Sequence, residues 1–259
     1  MYFSHERTVQ WCRDVAEVAR HHAAIVERKA DLLVLPTFTS IPAVLDGLAG
    51  CAEVGAQDVS QHDAGAFTGE VSAAELAELG VVAAEVGHAE RRRLFGESDA
   101  VVRAKATAAL RNGLTPLLCV GEGHKSTVRI AVEECSRQVD DALSDASRTS
   151  RGSSLIVAYE PLWAIGAAAP APTRYIREVC DLLRDHLRNR GHDQSRVIYG
   201  GAAGPGLLTE IGDAADGLFL GRFAHDVPAL RTVLDEVLSV DRSAKGSGSG
   251  VAAAPAARG

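Results

Sequence analysis

The sequence holds no apolar run of the roughly 18 residues that a membrane-crossing helix requires. Its opening, MYFSHERTVQ, puts charge where an export signal needs an apolar segment. Basic excess is missing too, since 27 Lys and Arg stand against 34 Asp and Glu, and the formal charge of -7 gives no field for a polyanion. Cysteine is sparse and scattered. Cys12, Cys51, Cys119, Cys135 and Cys180 are odd in number and form no CxxC, which argues against a disulfide framework or a zinc site. These absences lead to the expectation of a soluble, unexported cytoplasmic protein with no nucleic-acid or membrane partner and no metal.

What the chain does have is core material, 46% apolar residues over a length that suits one large domain. Short β-type runs alternate with helical patterns, the order expected of parallel strands joined by right-handed crossovers. Strands are expected at 31–36, 54–59, 82–87, 116–121, 155–160, 196–200 and 218–221, each apolar on both faces as buried parallel strands are. Helix boundaries carry their own signals. Ser72 with Glu75 reads as a capping box, Ser98 opens a helix that Asn112-Gly113 stops, and Thr173 opens one that Gly191 stops. Ile176, Val179, Cys180, Leu183 and Leu187 follow helical spacing, as do Val128, Val132, Cys135 and Val139, so Cys135 and Cys180 read as core fillers. The stretch 241–259 is rich in Gly, Ser, Ala and Pro with no periodic apolar face, and is expected to be a disordered tail behind a single domain at 1–240.

The most informative stretch is AYEPLWAIG at 158–166, where an apolar run ends in one carboxylate, Glu160, followed by Pro161 and a Trp163-Ala164-Ile165-Gly166 hinge. Such a strand delivers an acid to a barrel rim beneath a movable lid. An apolar lid desolvates the carboxylate, which raises its proton affinity toward working pH and makes it a better base. GHAERR at 87–92, LLCVGE at 117–122, AFTGEVS at 66–72, YGG at 199–201 and DGLFLG at 216–221 complete a set of motifs. In their identity and order these motifs resemble the triosephosphate isomerase family.

That resemblance implies a (β/α)8 barrel that interconverts dihydroxyacetone phosphate and glyceraldehyde 3-phosphate through an enediolate, without metal or organic cofactor. Glu160 would be the base and His88 the electrophile. The family is itself the standing example of a glutamate base beside a neutral histidine, so this pairing comes from the resemblance and not from spacing. Glu90 and Cys119 would lie behind these two, and Arg91 would orient neighbouring loops by ion pairing. Gly166, Ala202, Gly221 and Arg222, with Gly200 and Gly201, would line the phosphate through loop amides. Thr68 would cross a homodimer interface to support the neighbouring site. Glu97 and Glu122 look structural. His5, His21, His22, His62, His124, His186, His192 and His225 read as solvated or packing residues.

Several positions depart from the family pattern. A helical pattern (Val9, Cys12, Val15, Ala19) begins directly behind Met1-Tyr2-Phe3-Ser4, so the first barrel strand is missing or reduced to a stub, and with it the family's asparagine and lysine. The favoured expectation is a start codon placed inside that strand; the alternative is a true truncation that leaves strand edges exposed. Ala202 replaces a serine, Arg222 replaces a glycine, Ala89 replaces a serine, and AAAPAP at 167–172 is a shorter, stiffer lid than the family's. Three readings follow: a triose-phosphate isomerase, an isomerase of a larger ketose phosphate such as erythrulose phosphate, or a non-catalytic barrel that binds a sugar phosphate.

Overall fold

Strands buried on both faces need two cores, one inside the curl of the sheet and one beneath the helices. The computed structural model, which describes residues 1–145 and 154–240, has both. Seven strands, β1 (Leu33–Val34), β2 (Glu53–Ala56), β3 (Ala83–Val86), β4 (Thr115–Val120), β5 (Ile156–Tyr159), β6 (Arg196–Tyr199) and β7 (Gly217–Leu218), pair in chain order, every pair parallel. Ala84, Val86, Leu118, Val120, Val157, Tyr159, Val197 and Tyr199 face the helices, while Leu117, Cys119 and Ala158 form the inner cluster with Leu33, Leu35, Ile156, Ile198 and Phe219.

The helices are α1 (His5–His21), α2 (Ala23–Val26), α3 (Ile41–Gly47), α4 (Ala73–Leu79), α5 (Ala89–Phe95), α6 (Asp99–Arg111), α7 (Val128–Ala142), α8 (Thr173–Asn189), α9 (Leu207–Ile211) and α10 (Val227–Ser239). Ser72 and Ser98 cap α4 and α6 as their sequences require, accepting from the amides of Glu75 and Val101. α8 does begin at Thr173, but its cap position is Pro172, and the Thr173 hydroxyl instead donates to Glu210. Cys135 and Cys180 are fully buried core residues, as their spacing indicated. The expected tail at 241–259 lies outside the described residues.

Residues 1–4 form no strand, and Ser4 instead caps α1. Among the described residues no ladder joins β1 to β7, so the α/β barrel is an open curl of seven strands. The expected strands at 31–36 and 218–221 shrink to two residues each, because an edge strand has a hydrogen-bonding neighbour on one side only. The helical layer nevertheless closes. Cys12, Val15, Ala16 and Ala19 of α1 pack with Val44 of α3 and Leu230 of α10. Trp11 donates to the carbonyl of Ala224 at 2.9 Å, and His22 at the end of α1 lies 3.0 Å from Asp235 of α10.

A charge network fixes α5 where it meets the sheet. Lys105, 5% exposed, donates to Asp58 and Glu97 at 2.6 Å each, and Arg91 reaches the same two carboxylates at 2.8 and 2.6 Å. Two cations thus neutralise two carboxylates across α5, α6 and the loop after β2. Removing one partner of such a buried set strands the opposite charge. Lys105→Met is therefore expected to lose about 3–5 kcal/mol of stability at neutral pH. Urea unfolding would check this, with a smaller loss in acid, where Asp58 and Glu97 can take up protons.

Candidate active site

Side-chain parity decides what meets at the mouth of the curl. Glu85 pairs with Leu117 and Cys119 with Ala158, so Glu85, Leu117, Cys119 and Ala158 share the inner face, and Glu160, two residues past Ala158, points the same way. Glu160 is 8% exposed and its Oε2 has no hydrogen-bond partner among the described residues. Its position depends on two glycines. A Cβ on Gly200 would stand 2.5 Å from Glu160 Cγ, and one on Gly121 would stand 2.0 Å from the Glu160 carbonyl oxygen. Gly200, which the resemblance sets among the phosphate-loop glycines, makes room for the acid.

His88 ends the turn after β3 and caps α5, its Nδ1 accepting from the amide of Glu90 at 3.3 Å. An accepting Nδ1 places the proton of the neutral ring on Nε2. That Nε2 lies 3.7 Å from Glu160 Oε2 and 4.0 Å from Glu85 Oε1. Burial, with the Arg91 charge assisting and Glu90 opposing, holds the imidazole below its ordinary value, so it is neutral at neutral pH. Burial pushes Glu160 up to about 7, against a hydrogen bond from the Cys119 thiol and with help from the charge on Glu90. A carboxyl of near-neutral proton affinity thus faces a neutral N–H donor, a pair able to move a proton between adjacent carbons.

The remaining sequence-expected residues divide. Cys119 belongs to the cluster, buried with Sγ 3.9 Å from Glu85 Oε1, and burial raises its thiol well above the ordinary range, which disfavours the thiolate. Glu90 is exposed and acts on the cluster through its charge and its amide. Gly166 (φ 74°) and Ala202 (φ 56°) are both left-handed, the latter despite its side chain. The loops that carry them converge. A Cβ on Gly201 would meet Ala164 and Pro161 at 3.6 Å, and one on Gly204 would lie 2.5 Å from Phe223. Gly221 and Arg222 are exposed at the start of the turn Arg222–His225. Thr68 is exposed on the turn after β2 and has no hydrogen bond or ion pair to the cluster.

Two further carboxyls stand beside the cluster, Glu122, expected to be structural, and Glu85, which no sequence motif singles out. Glu122, 1% exposed, accepts from Tyr159, Trp163 and Tyr175 at 3.2, 2.8 and 2.9 Å, tying the hinge after β5 to α8. Glu85 is the other, and its signal was a single charge inside the apolar strand AAEV.

Glu160's folded value near 7 exceeds its ordinary 4.5, so the folded state holds a proton that the unfolded chain has released between those limits. The group's contribution to stability is full below 4.5 and lost as pH rises through 7. Relative to the wild type, Glu160→Gln is expected to gain up to about 3 kcal/mol between pH 4.5 and 8. Urea unfolding at both pH values would measure it, and a parallel pH dependence in the two proteins would rule out the desolvated carboxylate.

Comparison with known proteins places this geometry. The triosephosphate isomerase family model matches residues 1–237. The chain is 48% identical over 246 residues to the L-erythrulose-1-phosphate isomerase of Pectobacterium atrosepticum, covering 94% of this chain and 95% of that protein. It is 43% identical over 198 residues to the triosephosphate isomerase of Mycolicibacterium vanbaalenii, covering 73% and 75% respectively. A solved triosephosphate isomerase from Bartonella henselae superposes with a TM-score of 0.74 at 28% identity, over 91% of this chain and 94% of that one.

Proposed function

Because this chain belongs to the triosephosphate isomerase family and is an isomerase, we propose that it shifts the carbonyl of a ketose phosphate by one carbon through an enediolate. The observation that carries the reading is Glu160, buried and with a free Oε2, 3.7 Å from the Nε2–H of His88. Glu160 takes the proton from the hydroxyl-bearing carbon beside the ketone. The electron pair moves onto the carbonyl oxygen, where His88 Nε2–H stabilises the charge without carrying a full positive charge of its own. After a proton passes between the two oxygens, Glu160 returns its proton to the former carbonyl carbon. Glycine-bearing loops after β5, β6 and β7, with Gly166, Ala202, Gly221 and Arg222, hold the phosphate.

We propose L-erythrulose 1-phosphate as the preferred substrate. It differs from dihydroxyacetone phosphate by one hydroxymethyl group on the carbon that loses its proton. Preference for the tetrulose is supported by the 48% identity that runs through nearly the whole of both chains and by the altered phosphate loop at Ala202 and Arg222. The second reading, a triose-phosphate isomerase, is favoured by the 43% identity to the Mycolicibacterium enzyme. With both sugars offered in parallel, kcat/KM is expected to favour erythrulose phosphate by about tenfold or more, a difference within reach of one well-placed group. The opposite order would establish the second reading.

The same assay tests the residues. Glu160→Gln is expected to cost about 10²–10⁴ in kcat. In the wild type, kcat/KM is expected to fall as pH drops below about 7, where Glu160 holds its proton. Arg222→Gly is expected to raise KM several-fold while leaving kcat within about twofold, since a phosphate contact made equally in ground and transition states alters binding alone.

We also propose a homodimer that uses the turn bearing Thr68, where Phe67 stacks on His62 with ring centroids 3.6 Å apart and remains 42% exposed. Sedimentation at micromolar concentration should show a two-chain species, and Thr68→Arg should shift it toward one chain. A single-chain wild type would refute this.

A further inference from the structure

The inner face of β3 carries a carboxyl that the reaction above leaves unused. Glu85 is 8% exposed, its Oε1 lies 3.9 Å from Cys119 Sγ and 4.0 Å from His88 Nε2, and the same Nε2 is 3.7 Å from Glu160 Oε2. One imidazole N–H therefore faces two buried carboxyl groups, and neither is within hydrogen-bond length of it. The charged and titratable groups around Glu85 are Cys119 from β4, Glu160 from the end of β5, His88, Glu90 and Arg91 from α5 and its cap, and Asp58 from the loop after β2. Arg91 is the single cation among them, and it is bonded to Asp58 and Glu97. Two ionised carboxylates sharing a neutral ring would repel each other, and the nearby cations are engaged elsewhere, Arg91 with Asp58 and Glu97 and Arg92 with Asp99 and the Gly87 carbonyl, so one of the two keeps a proton.

We propose that Glu85 is a positioning residue for the isomerisation: a protonated carboxyl beneath His88 that steadies the imidazole and leaves Glu160 as the single negative charge of the pocket. Both carboxyls are 8% exposed, so depth along the strands assigns the proton: Glu85 pairs with Leu117, below the Cys119–Ala158 pair that Glu160 lies beyond, and the charge on Glu160 adds to the effect of burial. A neutral carboxyl can accept from a ring N–H or donate to a neighbouring oxygen without adding a second charge. At high pH, Glu85 ionises, places a second charge beside the enediolate and slows the reaction.

The proposal rests on the isomerase reading, so its first test is independent of turnover. In the full chain labelled with ¹³C at glutamate carboxyls, the resonance lost in Glu85→Gln should titrate at higher pH than the one lost in Glu160→Gln. The reverse order overturns the proposal. The second test is kinetic, with folding of each variant checked by thermal unfolding. Glu85→Gln, which mimics the neutral acid, should keep kcat near pH 7 within about threefold and lose the decline in kcat/KM at alkaline pH. Glu85→Leu should lower kcat about tenfold with KM within about twofold, the signature of a group acting after substrate binds. An alkaline decline that survives in Glu85→Gln, or two variants of equal rate, overturns the positioning role. A wild type inactive on both sugars, with the titration order intact, overturns the isomerase reading and leaves the proton on Glu85.

Discussion

Holding one carboxylate out of water is the constraint around which the rest of the molecule is arranged. Glu160 sits where β5 leaves the sheet, and its proton affinity near neutrality comes first from burial. That burial is made by neighbours that are small or absent: Gly121 and Gly200 on the flanking strand ends, Ala158 below and Cys119 alongside. A side chain at either glycine would displace the acid or its carbonyl, and with it the facing His88. The desolvation is a cost to folding, borne by a core whose strands are apolar on both faces.

The imidazole that faces Glu160 depends on a second piece of construction. His88 is placed by its own role as the cap of α5, and α5 is held to the sheet by the Arg91, Asp58, Glu97 and Lys105 network one turn away. Capping through Nδ1 also chooses the tautomer, so the contact that starts the helix puts the proton on the nitrogen that faces the acid. Helix capping and the choice of tautomer are carried by the same hydrogen bond.

Much of this could be read along the chain. Interior strands announced themselves as apolar runs, Ser72 and Ser98 marked real caps, and Glu160 and His88 were recognisable from their flanking motifs. What escaped the sequence depended on neighbours distant in the chain. Strand length at 31–36 and 218–221 is set by pairing on both sides, which no local pattern records. Gly200 looked like one more loop glycine until the side chain of Glu160 occupied the space a Cβ would need. Glu85 required register, because a lone charge in an apolar strand could belong to either face until its pairing with Leu117 fixed it inside. Thr173 begins its helix without capping it, since Pro172 takes that position and Glu210 takes the hydroxyl.

The two tryptophans of the chain are both tied by their indole nitrogens, Trp163 to Glu122 at the hinge after β5 and Trp11 to the carbonyl of Ala224 after β7. The molecule thereby carries an intrinsic optical probe at each place. Trp163 emission reads the segment that follows Glu160, and Trp11 emission reads the seam where α1 packs against α10. Replacing either indole with phenylalanine would separate the two signals and allow changes at the turn after β5 to be followed apart from loosening of the first helix.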